Sequence, residues 1–163
     1  MYDLNSMEQI LTSGDYQALA ELRHQIRLFV HFSEQAIRSA GLHPRQHQLM
    51  LALKGLPSHI HPSIRELAKR LQVRHQSTVE LVNRLVQGGY VRRARGGQDR
   101  REVLLSLTPK GERVLRALSL HHRTELRTAG PALIDGLRRV MQGNWEFDQV
   151  DHKTRRNKNR RTE

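Results

Sequence analysis

The stretch SIRELAKRLQVRHQSTVELVNRLVQGGYVRRARGGQDRREVLLSLTPKG, Ser63 to Gly111, decides the fold. Ser63 opens a helix with a capping box: its hydroxyl can accept from the Glu66 amide while the Glu66 carboxylate reaches back. Ile64, Leu67, Ala68 and Leu71 form the apolar face of a helix only two turns long, which needs tertiary packing to persist. A turn at 72–74 leads to a second helix, His75 to Gln87, with Val79, Val82, Leu85 and Val86 turned inward and Leu81 alongside. Gly88-Gly89 ends that helix as a left-handed C-cap requires. Tyr90 to Arg95 and Glu102 to Leu107 read as two strands joined by residues 96–101, with Val103, Leu105 and Leu107 on one face. From Arg65 to Arg101 there are ten Lys/Arg against three acids, a net +7 in 37 residues. Charge concentrated on a helix–turn–helix and hairpin is the footprint of a phosphate-binding surface.

Outside this unit the pattern is helical. Leu19, Leu22, Ile26, Phe29, Val30, Ala36 and Ile37 recur at three- and four-residue spacing and predict a long helix over 15–40, ended by Gly41. Pro44 starts a second helix that buries Leu49, Met50 and Leu53 and stops at Gly55. Two prolines make 56–62 a loop. Thr108 and Pro109 supply the cap and first turn of a helix with Val114, Leu115 and Leu118 on its apolar face, turning polar at His121-His122. Gly130-Pro131 is expected to break the chain, with a last helix carrying Leu133, Leu137, Val140 and Met141. The expected fold class is α+β, mostly α: a winged helix-turn-helix with flanking dimerisation helices. The expected divisions are a dimerisation helix region at 1–42, a DNA-binding winged helix at 43–108, dimerisation helices at 109–143, and a basic, disordered tail at 144–163.

Composition narrows the function. The chain has 163 residues, a formal charge of +12 and no cysteine. One domain with a real core fits that length. The final thirteen residues hold six Lys/Arg and two acids, so +8 remains in residues 1–150. A polyanionic partner is implied. The absence of cysteine removes disulfides, thiolate metal sites and thiol-based redox switching. No apolar run approaches a membrane span, and the N-terminus lacks the features of a signal peptide, so a cytoplasmic protein with no membrane partner is expected. No nucleophile–base pairing or phosphate-cradling glycine loop stands out, so an enzyme is not expected and no cofactor is implied.

QDRREVLLSLTPKGERVL after a short-helix pair, together with GLHPRQHQLMLALKG, resembles the MarR (multiple antibiotic resistance regulator) family of winged-helix repressors, over roughly residues 15 to 142. The resemblance implies a homodimer with interleaved terminal helices, binding double-stranded DNA at a pseudo-palindromic operator and releasing it when a small, often aromatic, effector binds. It implies that Asp99 holds the shape of the wing while Arg101 enters the minor groove, where narrowing concentrates negative potential. Phe29, Phe32, His47 and Met50 are on the two helices that usually line the effector pocket.

The helix from His75 to Gln87 is the expected recognition helix, with Arg74, His75, Gln76, Ser77 and Thr78 at the end that meets base edges and Arg84 further along. Arg92, Arg93, Arg95 and Arg100 are expected at phosphates. Glu80 departs from the basic residue common in the family. A carboxylate at the groove floor is repelled unless a cytosine amino group donates to it, so Glu80 is left out of the expected contacts. The plain alternative for helix and hairpin is a solvated polar face and an edge-protected ribbon. Two other functions stay open: coating of nucleoid DNA or RNA without sequence preference, and metal sensing by some of the ten histidines. His43 and His47 have the i, i+4 spacing that can clamp zinc, but histidines without cysteine or paired carboxylates make a surface or capping role the better reading, and no metal site is assigned. The apolar stripes of the terminal helices exceed what so small a winged unit can cover, which also favours a dimer.

Overall fold

The computed structural model describes residues 11–95 and 103–142. The elements are α1 (Ser13–Ser39), α2 (Pro44–Lys54), α3 (Ile64–Leu71), α4 (His75–Gln87), β1 (Val91–Arg95), β2 (Val103–Leu107) and α5 (Pro109–Gln142). The strands pair antiparallel, Val91 opposite Leu107 and Arg95 opposite Val103. The hairpin is tied to the α2–α3 loop by the Leu105 amide, which donates to the Pro62 carbonyl at 2.9 Å.

Local chemistry sets the helix starts. Thr12 and Asp15 close a capping box on α1, and the Asp15 carboxyl is held below its usual range by the hydrogen bonds from the Thr12 side chain and backbone. His43 and Gln46 do the same for α2, the His43 ring accepting from the Arg45 amide at 3.3 Å. The cap at Ser63 is one-sided, contrary to expectation. Its hydroxyl accepts from the Glu66 amide, but the Glu66 carboxylate turns away to pair with Arg70 at 2.9 Å. Gln72 takes the left-handed conformation, φ 54°, which ends α3 and turns the chain into α4 within three residues. At the end of α4 the positive φ falls on Gly89, while Gly88 stays right-handed.

The core lies where α2, α3, α4, the hairpin and the first part of α5 meet. Leu49, Met50, Leu67, Val82 and Leu85 have no exposed surface, and Ile37, Val91, Leu105, Leu115 and Leu118 close around them. Each of the large residues stabilises by about 1.5–3 kcal/mol through burial.

The expected break at Gly130-Pro131 does not occur. Residues 109–142 form one helix with Pro131 inside it. Proline clashes with the Cβ of the residue before it when that residue is helical, and Gly130 has no Cβ to clash. Packing against α1 holds the rest of the helix: a Cβ on buried Gly136 would stand 3.3 Å from the Leu22 Cα. There are thus five helices among the described residues. α5 is roughly 50 Å long at 1.5 Å per residue. Beyond Leu118 its one buried residue is Gly136, and Leu120, Leu126, Ile134, Leu137 and Met141 are exposed there. Ile26, Leu28 and Val30 are exposed on α1.

Candidate nucleic-acid interface

Helix α4 has two sharply different faces. Thr78, Leu81, Val82 and Leu85 are buried against the core. Gln76, Glu80, Asn83 and Gln87, at i, i+4, i+7 and i+11, form a continuous exposed polar row on the opposite side, with His75 and Arg84 exposed beside it. Arg74 is the N-cap of α4 and is exposed; its side chain makes no capping hydrogen bond. The structure therefore leaves Arg74, His75, Gln76 and Arg84 on the outer surface and Ser77 half-buried at its edge.

Thr78 is a correction. It has no exposed surface, and its hydroxyl donates to the Arg74 carbonyl at 3.2 Å. Enclosed between α4 and the core, with its hydroxyl bonded to its own helix, the side chain is not presented to a groove.

The two wing arginines whose side chains are described separate, because successive strand residues point to opposite faces. The Arg93 guanidinium donates to Asn83 Oδ1 at 2.6 Å, so it lies on the α4 side and locks the hairpin to the helix. The Arg92 guanidinium donates to Ser106 Oγ at 2.9 Å and borders a cleft with Lys54, Ser106 and Glu112. Lys54 and Glu112 pair across that cleft at 2.7 Å, and the hydrogen bond and charge of Lys54 hold the Glu112 carboxyl below its usual range. Arg95 is in β1, but its side chain, like all of Asp99, Arg100 and Arg101, lies outside the described residues, as does the expected tail at 144–163.

The base of the hairpin is clamped to α4 and α5. The Thr108 hydroxyl accepts from the Gly111 amide at 3.0 Å and donates to the Gly89 carbonyl at 2.6 Å. Lys110 donates to the Gly88 carbonyl at 2.8 Å, with its ammonium 4.4 Å from the Tyr90 ring centroid. These contacts fix the angle between α4 and the ribbon.

Sequence reasoning missed Asn83 and Arg45. Asn83 extends the polar row of α4 by helical spacing, so the signal was present. Arg45 is in the first turn of α2 and borders a cleft with His43, Ser77, Glu80, Leu81 and Arg84, a neighbourhood set by tertiary packing alone.

At the junction of α1, α2 and α5, histidines cluster with two aromatic rings. His47 is 4 % exposed and its Nε2 has no hydrogen-bond partner among the described residues. Its ring meets the His122 ring edge-on at 5.1 Å. His122 contacts Phe29 at 6.5 Å and Ser33 Oγ at 3.0 Å, and His121 stacks on Phe32 at 4.8 Å. Burial, with a lesser contribution from His122, pushes His47 down to about 4. His122 is also lowered, chiefly by burial, against an opposing backbone hydrogen bond with Ser33 and with a smaller lowering contribution from His121. Phe29, Phe32 and His47 thus come together, while Met50 is enclosed in the core. Among the described residues no three His, Cys, Asp or Glu are grouped to hold a metal ion, and no helix is long and apolar enough to cross a membrane.

Comparison with known proteins supports the same architecture. The MarR family model matches residues 40–102. No curated protein matches the chain. Among solved structures, RV1404 from Mycobacterium tuberculosis is 29 % identical, with 81 % of this chain and 91 % of that one covered at a TM-score of 0.62. AbsC, a MarR family transcriptional regulator from Streptomyces coelicolor, is 20 % identical over 82 % and 93 % at 0.66. A mutant of S. aureus MepR bound to an oligodeoxyribonucleotide is 18 % identical over 83 % and 94 % at 0.60. The matched segment runs from the end of α1 to just short of β2 and includes α4 and β1; over residues 40–102 the chain is similar to the MarR family, and it shares the fold of the solved MarR family transcriptional regulator AbsC.

Proposed function

We propose that the protein is a homodimeric, sequence-specific repressor that binds a pseudo-palindromic duplex and releases it on binding a small aromatic effector. The observation that carries this reading is the exposed polar row of α4 with Arg93 fixed beside it by Asn83. A helix with one buried face and one polar face, flanked by a cationic ribbon, suits a major groove and its bordering phosphates. Arg74, His75, Gln76, Ser77 and Arg84 contact bases and phosphates from the helix. Arg92, Arg93, Arg95 and Arg100 bind phosphates from the wing, Asp99 shapes it, and Arg101 enters the minor groove. The MepR structure with an oligodeoxyribonucleotide supports the mode, since the fold is shared.

Residues 43–108 act as the DNA-binding unit, and 1–42 and 109–143 form the dimer. The exposed Ile26, Leu28 and Val30 on α1 and Leu120, Leu126, Ile134, Leu137 and Met141 on α5 are the surface that a second copy covers. The effector enters beside Phe29, Phe32 and His47, and shifts the dimer only if it binds better to an arrangement whose recognition helices are wrongly spaced.

Selection from a random duplex pool tests the reading. The expected product is an inverted repeat with half-site centres roughly 34 Å apart, bound at least ~10³-fold tighter than random duplex at the same salt. Equal affinity for all duplexes would identify a coating protein instead. Arg101→Ala is expected to weaken operator binding by about 1–3 kcal/mol while the chromatographic mass stays that of two chains. A single-chain mass at micromolar concentration would refute the dimer.

A further inference from the structure

We propose that Glu80 is a specificity-determining residue that reads a cytosine, accepting a hydrogen bond from its exocyclic amino group in the major groove. The inference rests on the DNA-binding reading above and adds to it the identity of one base. It starts from an ion pair that does not form. Glu34–Arg38, Glu66–Arg70 and Asp135–Arg139 all have an acid four residues before an arginine on a helix, and all three close at 2.8–2.9 Å. Glu80 and Arg84 have the same order and spacing on α4, yet no ion pair or hydrogen bond joins Glu80 to any described residue. The carboxylate stands open in the middle of the exposed row, between Gln76 and Asn83.

An open carboxylate at that position has one favourable partner in duplex DNA. Phosphates repel it, and so do the N7, O6 and O4 acceptors of guanine, adenine and thymine edges. The cytosine N4 amino group donates, and among the major-groove edges it is the donor that is not paired with an adjacent acceptor on the same base. Arg45 and Arg84 border the same cleft as Glu80 and supply the attraction to the backbone that offsets its repulsion. The acid therefore discriminates rather than anchors. It lowers affinity for every site lacking cytosine at one position of each half-site.

The test is selection from a random duplex pool with the full-length protein and with Glu80→Gln and Glu80→Asp. Glu80 is exposed, so both variants are expected to unfold at the wild-type temperature. Wild type should enrich C·G at one fixed position per half-site, with a roughly tenfold penalty for another base there. Glu80→Gln should move that position to adenine, which pairs with the amide of glutamine, and leave the other positions and the half-site spacing unchanged. Glu80→Asp keeps the charge and loses the reach, and should relax the position. An unchanged motif in both variants, with Glu80→Gln simply tighter on all duplexes, would overturn the proposal and leave the carboxylate a uniform repellent. A wild-type pool with no enriched motif would overturn sequence-specific binding itself, and this proposal with it.

Discussion

Gly111→Ala is expected to lower unfolding stability by about 2–4 kcal/mol, a large effect for the addition of one methyl group. Gly111 is buried in the first turn of α5, and a Cβ there would overlap the Tyr90 carbonyl oxygen and stand 3.0 Å from the Tyr90 carbonyl carbon. Those are backbone atoms at the hinge between α4 and β1, so no rotamer change relieves the overlap. The Tyr90 carbonyl also accepts from the Thr108 amide at 3.0 Å, and moving it breaks the clamp at the hairpin base. Urea unfolding with wild type and variant under one set of conditions measures the loss. Gly14→Ala is the control. Its Cβ would meet only the Thr12 hydroxyl, at 3.5 Å, and it should stabilise by up to ~1 kcal/mol by limiting the unfolded chain. If Gly111→Ala were as stable as wild type, the close approach of α5 to the hairpin would be wrong. Since that approach sets the wing angle, the variant should also bind duplex less well at temperatures where it stays folded.

What could be read from the chain alone was whatever local chemistry decides. The bounds of α4 at His75 and Gln87 follow from apolar spacing and the glycine pair after it, and the structure reproduces them. The starts of α2 and α5 at Pro44 and Pro109 were legible because proline has no amide proton to leave unsatisfied. The misreadings arose where distant residues decide. Pro131 lies inside α5 rather than ending it: Gly130 removes the clash with the preceding residue, and the packing of Gly136 on Leu22 of α1 supports the helix beyond it. Thr78 was assigned to the groove from its place near the N-terminus of the helix, while its hydroxyl bond to Arg74 and its burial depend on the rotation of α4 against the core. The lock between Asn83 and Arg93 joins two elements across a turn, and no periodicity within either announces it. The pairing of His47 with His122 is more distant still, spanning 75 residues. The charge that first marked the unit was fully visible in sequence, but its division between an α4-facing Arg93 and a cleft-facing Arg92 needed the strand register.

Acid is expected to destabilise the protein through His47 by about 3 kcal/mol between pH 6.5 and pH 4. In the fold His47 is pushed down to about 4, from an ordinary value of 6.5. Above pH 6.5 the ring is neutral in folded and unfolded chains alike, and the fold has its full stability. Between 6.5 and 4 the unfolded chain takes up a proton that the folded chain refuses, so stability falls as pH falls, by about 1.4 kcal/mol per unit. The cause is geometric. The ring is enclosed by α2 and its neighbours, its Nε2 has no partner among the described residues, and the ring facing it from α5 is another titratable histidine, His122, itself hydrogen-bonded to Ser33 of α1. No carboxylate forms an ion pair with either ring among the described residues. His122 is also held below its ordinary value, so the informative quantity is the difference between wild type and His47→Leu. The variant should be at least as stable at pH 7.5, because it removes an unsatisfied buried nitrogen, and its pH–stability curve should be flatter by up to one proton between pH 6.5 and 4. Parallel curves, or a proton-NMR titration of His47 centred near 6.5, would show that the ring is hydrated in solution and that the junction of α1, α2 and α5 is looser than this packing requires.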